Sequence, residues 1–135
     1  MADLIITAGN VLIYDGAEIG HGRAGEAVTA GEAVYQHTDG KLWLADCATA
    51  AKANAKGVAL NDAATNQPVA YIKKGGLNPG AAVTVGAVYG VTDTGGGIGL
   101  ISERAAEDYM TILGVASTTS RIDVQLNVSG AKIPT

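Results

Sequence analysis

His21 and His37 are the only histidines of the chain, and Cys47 its only cysteine. A zinc site needs three or four ligands at workable spacing, and His37 with Asp39 supplies two. Both histidines therefore read as surface positions near turns: His21 lies in Gly20-His21-Gly22-Arg23, and His37 stands two residues past Tyr35. Cys47 would act as a nucleophile only with a general base and an oxyanion hole. Beside Asp46, Ala48 and Thr49 a thiolate is disfavoured, so Cys47 reads as a half-buried structural thiol. Gly95-Gly96-Gly97-Ile98-Gly99 lacks the Lys-Ser/Thr and helix of a phosphate loop and reads as a hairpin turn. Glu103, Glu107 and Asp108 cluster, but no apolar pocket is evident to split their pKa values, so they read as a solvated helix face. There is no Gly-x-Ser-x-Gly elbow. Catalytic, metal and cofactor residues are thus expected to be none, and an enzyme is the reading with least in its favour.

The elements behind these residues are built from small side chains. Of 135 residues, 47% are hydrophobic and only 16% charged; Phe is absent, Trp occurs once and Gly 19 times. Ala, Val, Ile and Leu suit a thin, tightly packed sheet, and a surface poor in charge suits coverage by a partner. Net charge is −4, with no basic cluster beyond Lys73-Lys74, which argues against phosphate-driven nucleic-acid binding. One cysteine excludes an intramolecular disulfide. No signal peptide and no membrane-spanning run is expected from the pattern.

The chain says nearly the same thing twice. Ala27-Val28-Thr29-Ala30-Gly31, then Ala33-Val34-Tyr35, recurs as Ala82-Val83-Thr84-Val85-Gly86, then Ala87-Val88-Tyr89, with Glu32 extra in the first copy. Gly57-Val58-Ala59 recurs as Gly114-Val115-Ala116, and Val69–Gly75 lines up with Val124–Gly130, both alternating runs ending in glycine. A duplicated β unit that cannot bury its apolar face alone is the physical reading. Ile122, Val124, Leu126 and Val128 alternate with polar residues, the clearest period-two strand in the chain. Cys47–Lys56, Ala-rich and free of Gly and Pro, predicts a short helix, and Ser102–Glu107 a helical turn.

Many short strands punctuated by Gly turns predict an all-β fold with minor α: a small β-barrel or sandwich of two tandem repeats. Residues 1–23 form an N-terminal arm or hairpin, from the runs Leu4-Ile5-Ile6-Thr7 and Val11-Leu12-Ile13-Tyr14 about a Gly-Asn turn. Residues 24–135 form one β domain, with copies at about 24–79 and 80–134. Trp43 fits either an interface anchor or a core residue, because Leu42 and Leu44 claim the opposite face of its strand.

The runs Gly25–Tyr35, Asp39-Gly40-Lys41, Gly57–Asn61 and Gln67-Pro68-Val69 resemble the head decoration, or capsid cement, proteins of tailed bacteriophages. The second copy, from Val88-Tyr89 through Gly96-Gly97-Ile98 to Leu113–Ala116, is similar to the same family. The resemblance spans roughly residues 24–128 and rests on structural motifs. It implies a β-rich, non-enzymatic virion protein, often a trimer, made in the host cytoplasm. It also implies binding to the outside of an assembled head, where the protein clips neighbouring major capsid subunits together. The family carries no catalytic residues to transfer and implies no cofactor. Residues 2–14, with Leu4, Ile5 and Ile6, are the expected capsid grip, with Trp43 as a further contact, because an apolar run ahead of the repeats can add to a neighbour's sheet edge. The other reading of that run is an ordinary first strand of the domain. Two alternatives stand beside the leading function. One is another phage part, such as a head-fibre base or tail subunit. The other is a ligand- or carbohydrate-binding β module.

Overall fold

The computed structural model describes residues 4, 6, 8–47, 50–92, 95–100 and 109–132. The fold is all-β with minor α, a curled antiparallel sheet in the form of a half-barrel. A single 3-10 turn at Ala8–Asn10 leads into β1 (Val11–Ile13) and β2 (Glu18–Arg23). The first copy supplies β3 (Ala33–Gln36), β4 (Leu42–Leu44), helix α1 (Ala50–Ala53), β5 (Ala55–Ala59) and β6 (Pro68–Pro79). The second supplies β7 (Val88–Val91), β8 (Ile98–Leu100), β9 (Tyr109–Thr118) and β10 (Arg121–Lys132). The helix expected over Cys47–Lys56 is a single turn, because Ala55 and Lys56 are taken into β5, which pairs with both β3 and β6. Tertiary pairing here outweighs alanine's helix preference. The helical turn expected at Ser102–Glu107 lies outside the described residues.

The strand order is β4-β3-β5-β6-β10-β9-β7-β8. Each copy therefore has the same internal order, and the two are joined tail to tail through the antiparallel β6·β10 pair. β6 is shared along its length. Ile72 lies between Ile19 and Val58, Lys74 between Glu18 and Gln125, and Leu77 between Ile13 and Ile122. One edge of β6 is thus taken by β1 and β2, and the other by β5 and then β10. An extra residue, Lys73, opposes the Glu18–Ile19 step, and Gly75 has φ +114°. This bulge bends the strand and reverses which residues point inward.

The hairpin reading pairs Val11–Tyr14 with Leu4–Thr7, but β1, like β2, takes its described ladder from β6. Both run antiparallel to β6, as two halves of one edge strand parted by the Asp15-Gly16 turn, where Gly16 has φ +86°. Tyr14 N–H donates to Gly76 C=O at 3.0 Å, which continues the ladder through the gap. The far ends of the sheet meet through backbone bonds: Ala33 N–H to Gly96 C=O, Gly96 N–H to Ala45 C=O, and Cys47 N–H to Thr92 C=O. The Gly95–Gly97 turn, with Gly96 at φ +78°, is a closing piece of the barrel.

The duplication holds at the level of single hydrogen bonds. Glu32 N–H donates to Thr29 C=O and Ala87 N–H to Thr84 C=O, each closing a turn whose third residue is a positive-φ glycine, Gly31 or Gly86. Gly31 and Ala59 exchange with the turn as Gly86 and Ala116 do: Gly31 N–H to Ala59 C=O and Ala59 N–H to Glu32 C=O, then Gly86 N–H to Ala116 C=O and Ala116 N–H to Ala87 C=O. The alignment of Val69–Gly75 with Val124–Gly130 is out of frame. Val58 pairs with Ile72 where Val115 pairs with Asp123, so Ile72 matches Asp123 and Val69 stands level with Ser120. The loop Leu60–Gln67 of the first copy is replaced in the second by a tight hairpin, which shifts the frame.

The main core lies inside the curl and joins the copies: Val58, Ile72 and Tyr35 from the first, with Leu113, Ile122, Val124 and Tyr89 from the second. A smaller cluster covers the outside of the first copy, where Ala24, Val28 and Ala63 pack on Val34, Leu42, Ala59 and Val69. The buried Thr111 hydroxyl donates to Ala53 C=O and satisfies an end carbonyl of α1. The copies also share a close approach. A side chain at Gly57 would place Cβ 2.1 Å from Ile72 O, and at Gly114, 2.1 Å from Asp123 O. Gly57→Ala and Gly114→Ala should each force strands apart and cost about 2 kcal/mol or more, as overpacking does. Urea unfolding measures both, and a cost at one site without the other would break the equivalence of the copies.

Candidate functional site

Leu4 and Ile6 are half-buried against the main core. Leu4 N–H donates to Ile98 C=O at 2.7 Å, and Ile6 Cγ2 occupies the space a side chain at Gly31 would need. Ile5 lies outside the described residues. The described part of this apolar run is fastened to β8 and to the 29–32 turn of its own domain. Deleting residues 2–8 would therefore strip core contacts.

A groove of about 310 Å³ opens beside Leu4 and Ile6, with Glu32 and Gly95–Gly97 on its other walls. Three carboxylates surround this corner, each accepting from backbone. Glu32 Oε1 accepts from Thr29 N–H at 2.6 Å, Asp62 Oδ1 from Ala30 N–H at 2.9 Å, and Glu26 Oε2 from Leu44 N–H at 3.0 Å. Burial pushes the Glu32 carboxyl above its ordinary value, and the charges of Glu26 and Asp62 add to the rise; the Thr29 bonds oppose it. Sequence reasoning gave Glu32 no role beyond being the extra residue of the first copy. The structure makes it the residue that braces the turn.

Of the two roles open for Trp43, the structure shows a partly buried packing position against the core. Its indole is half-buried and packs against the main core, with its Nε1 edge over Gly25, where a Cβ would come within 2.2 Å. Nε1–H donates to the Asp39 carboxylate at 3.2 Å, and the His37 ring meets Trp43 edge-on at 5.7 Å. The Tyr35 hydroxyl and His37 Nδ1 share a hydrogen bond at 3.3 Å. Leu42 lies in the outer cluster with Leu44 beside it, so the two faces of β4 divide as the alternation predicts. Asp39 also accepts from Lys41 N–H at 2.8 Å, and that bond holds its carboxyl below the usual range. This corner is a braced hairpin end with an aromatic surface.

The remaining candidates are dispersed. His21 is exposed on β2, Cys47 is fully buried at the barrel seam, and Glu103, Glu107 and Asp108 lie outside the described residues. Among the described residues, no three His, Cys, Asp or Glu side chains are grouped to hold a metal ion. The surface has a different distinction. Leu12 is 61% exposed, Val85 57%, Val115 44% and Ile13 41%. Sequence reading missed Leu12, Val85 and Val115 as surface residues. A comparison of the repeats carries the signal for Val85, which stands where the first copy has the smaller Ala30. No protein-family model matches this sequence, and no curated protein does.

Two outcomes follow from this geometry. Glu32→Gln keeps an acceptor for Thr29 and removes the buried charge, so it should raise the Tm at pH 7. Because the folded-state value of Glu32 is raised, wild-type Glu32 supports the fold best when protonated, and that support is lost as pH rises through the raised value. The advantage of the variant should therefore vanish as pH falls below 4.5, the ordinary value, which a Tm series across pH tests. Gly25→Ala should push the indole off its seat and cost about 1–3 kcal/mol. A red shift of Trp43 emission, visible without a label because it is the only tryptophan, reports the displacement.

Proposed function

We propose that this chain is a non-enzymatic virion structural protein that binds the outer surface of an assembled phage head. It stabilises the lattice by bridging neighbouring major capsid subunits, and it acts as a homo-oligomer, a trimer. The family resemblance of the two copies motivates the reading. The observation that carries it is the outer edge of β1, which pairs with no other strand among the described residues. Tyr14 N–H faces β6, so by the alternation of an antiparallel ladder the backbone groups of Val11 and Ile13 point away from it. Along β2 the same edge presents the charges of Glu18 and Arg23, which discourage a further strand. At β1 it presents Ile13, exposed and apolar. An extended segment of a capsid subunit adds there by main-chain pairing, and several copies on one oligomer multiply a weak contact through effective concentration. This moves the grip from Leu4–Ile6 to the end of the 2–14 segment.

Co-sedimentation with empty expanded heads, assembled from the major capsid protein of the same virus, tests the proposal. The wild-type chain should pellet with heads. Ile13→Pro removes an N–H that faces outward, a replacement an edge strand tolerates, and should weaken head binding at least about tenfold with the fold intact. A wild-type chain that stays in the supernatant sinks the capsid reading. Equal binding by Ile13→Pro sinks the edge.

A further inference from the structure

The two outer faces of the barrel are treated differently. The outside of the first copy is roofed by Ala24, Val28 and Ala63. On the outside of the second, Gly76, Asp123, Val115 and Val88 stand in one row across β6, β10, β9 and β7, with no comparable roof among the described residues. Arg121 lies across Gly76, whose missing side chain makes the room. Its Nε is 2.8 Å from Asp123 Oδ1, and its guanidinium carbon is 4.8 Å from the centre of the Tyr14 ring. Leu12 extends the face beside Asn78, and Val85 stands at the turn that leads into β7.

The duplication provides an internal control. Val85 occupies the position of Ala30, which is buried, and Val115 that of Val58, which the reversal at β6 turns into the main core. A Cβ on Gly31 would touch Ile6 and Val11, whereas one on Gly86 would meet nothing within 4 Å. The same turn is covered in one copy and bare in the other, and the bare one carries the larger side chain, Val85. We propose that this face, centred on Val115 and the Arg121–Asp123 pair, is where copies of this chain meet. Charge selects the occupant. The chain carries −4 overall, so two copies repel one another in general. On this face the charges come in opposite pairs: Arg121 with Asp123, and Lys74 in register with Glu18. These two pairs sum to zero, and Arg121 of one copy can bridge to the acidic residues of the next while the valines close against each other. Arginine beside buried aliphatic and tyrosyl surface is the composition of an interface centre.

This inference rests on the oligomer in the reading above and not on the capsid partner. Light scattering on the full chain tests it without heads. The wild-type chain should be an oligomer at micromolar concentration. Val85→Asp, at an exposed turn position, should weaken association at least about tenfold and give a monomer with unchanged circular dichroism, since a charge at an interface centre is left unpaired. Val115→Thr keeps strand preference and should shift the equilibrium in the same direction. A monomeric wild type overturns both the oligomer and this face. An oligomer whose mass neither variant alters overturns the face alone and leaves the oligomer standing.

Discussion

In a regular strand, residues five apart point to opposite faces, yet Ile72 and Leu77 of β6 both point into the main core. The bulge at Lys73 and the bend at Gly75 make this possible, and the rest of the architecture depends on it. With a straight β6, the strands pairing with its first half and those pairing with its second would bury opposite sides of one flat sheet. With the bulge, the two stretches of sheet turn toward each other and enclose one core. Gly75 is suited to the bend twice over: its φ is positive, and a Cβ there would strike Ala17.

The price of enclosing a core this way is small side chains. Strands approach closely at Gly57 and Gly114, and the closing bonds at Ala33, Ala45 and Gly96 leave no space for bulk at the seam. Tyr35 and Tyr89, with one hydroxyl meeting His37 and the other accepting from Thr84 N–H, supply the large buried surfaces that alanine and valine cannot. The bracing carboxylates Glu26, Glu32 and Asp62 belong to the first copy, where the barrel closes and the chain covers its own turn.

The strand content, the tandem copies and the Gly turns were all legible, because period-two alternation and positive-φ glycine leave local signatures. What alternation does not encode is which side of a strand faces in. Gly57-Val58-Ala59 and Gly114-Val115-Ala116 are the same three residues. The structure buries Val58 in the main core and exposes Val115, because the bulge in β6 lies between the two copies' places in the sheet. The N-terminal segment misled for a similar reason. Val11–Tyr14 has the composition of a hairpin strand, but its partner is Leu77–Pro79, far along the chain, and local pattern does not report distant pairing. Trp43 was open between two roles, and its seat on Gly25 depends on a contact that no spacing rule predicts.

The edge strand β1–β2 waits for a partner that is made later. Its backbone bonds go to β6, and the other edge of β6 is completed by β10, near the end of the described chain. During synthesis the first copy therefore emerges with its long strand half-flanked and its inner face incomplete, since the core around Val58 and Ile72 is completed by residues of β9 and β10. Most contacts are between residues distant in sequence, and chains of that kind fold slowly. The two copies look modular in sequence, but as a folding unit they are indivisible: neither can be stable before the other has been made.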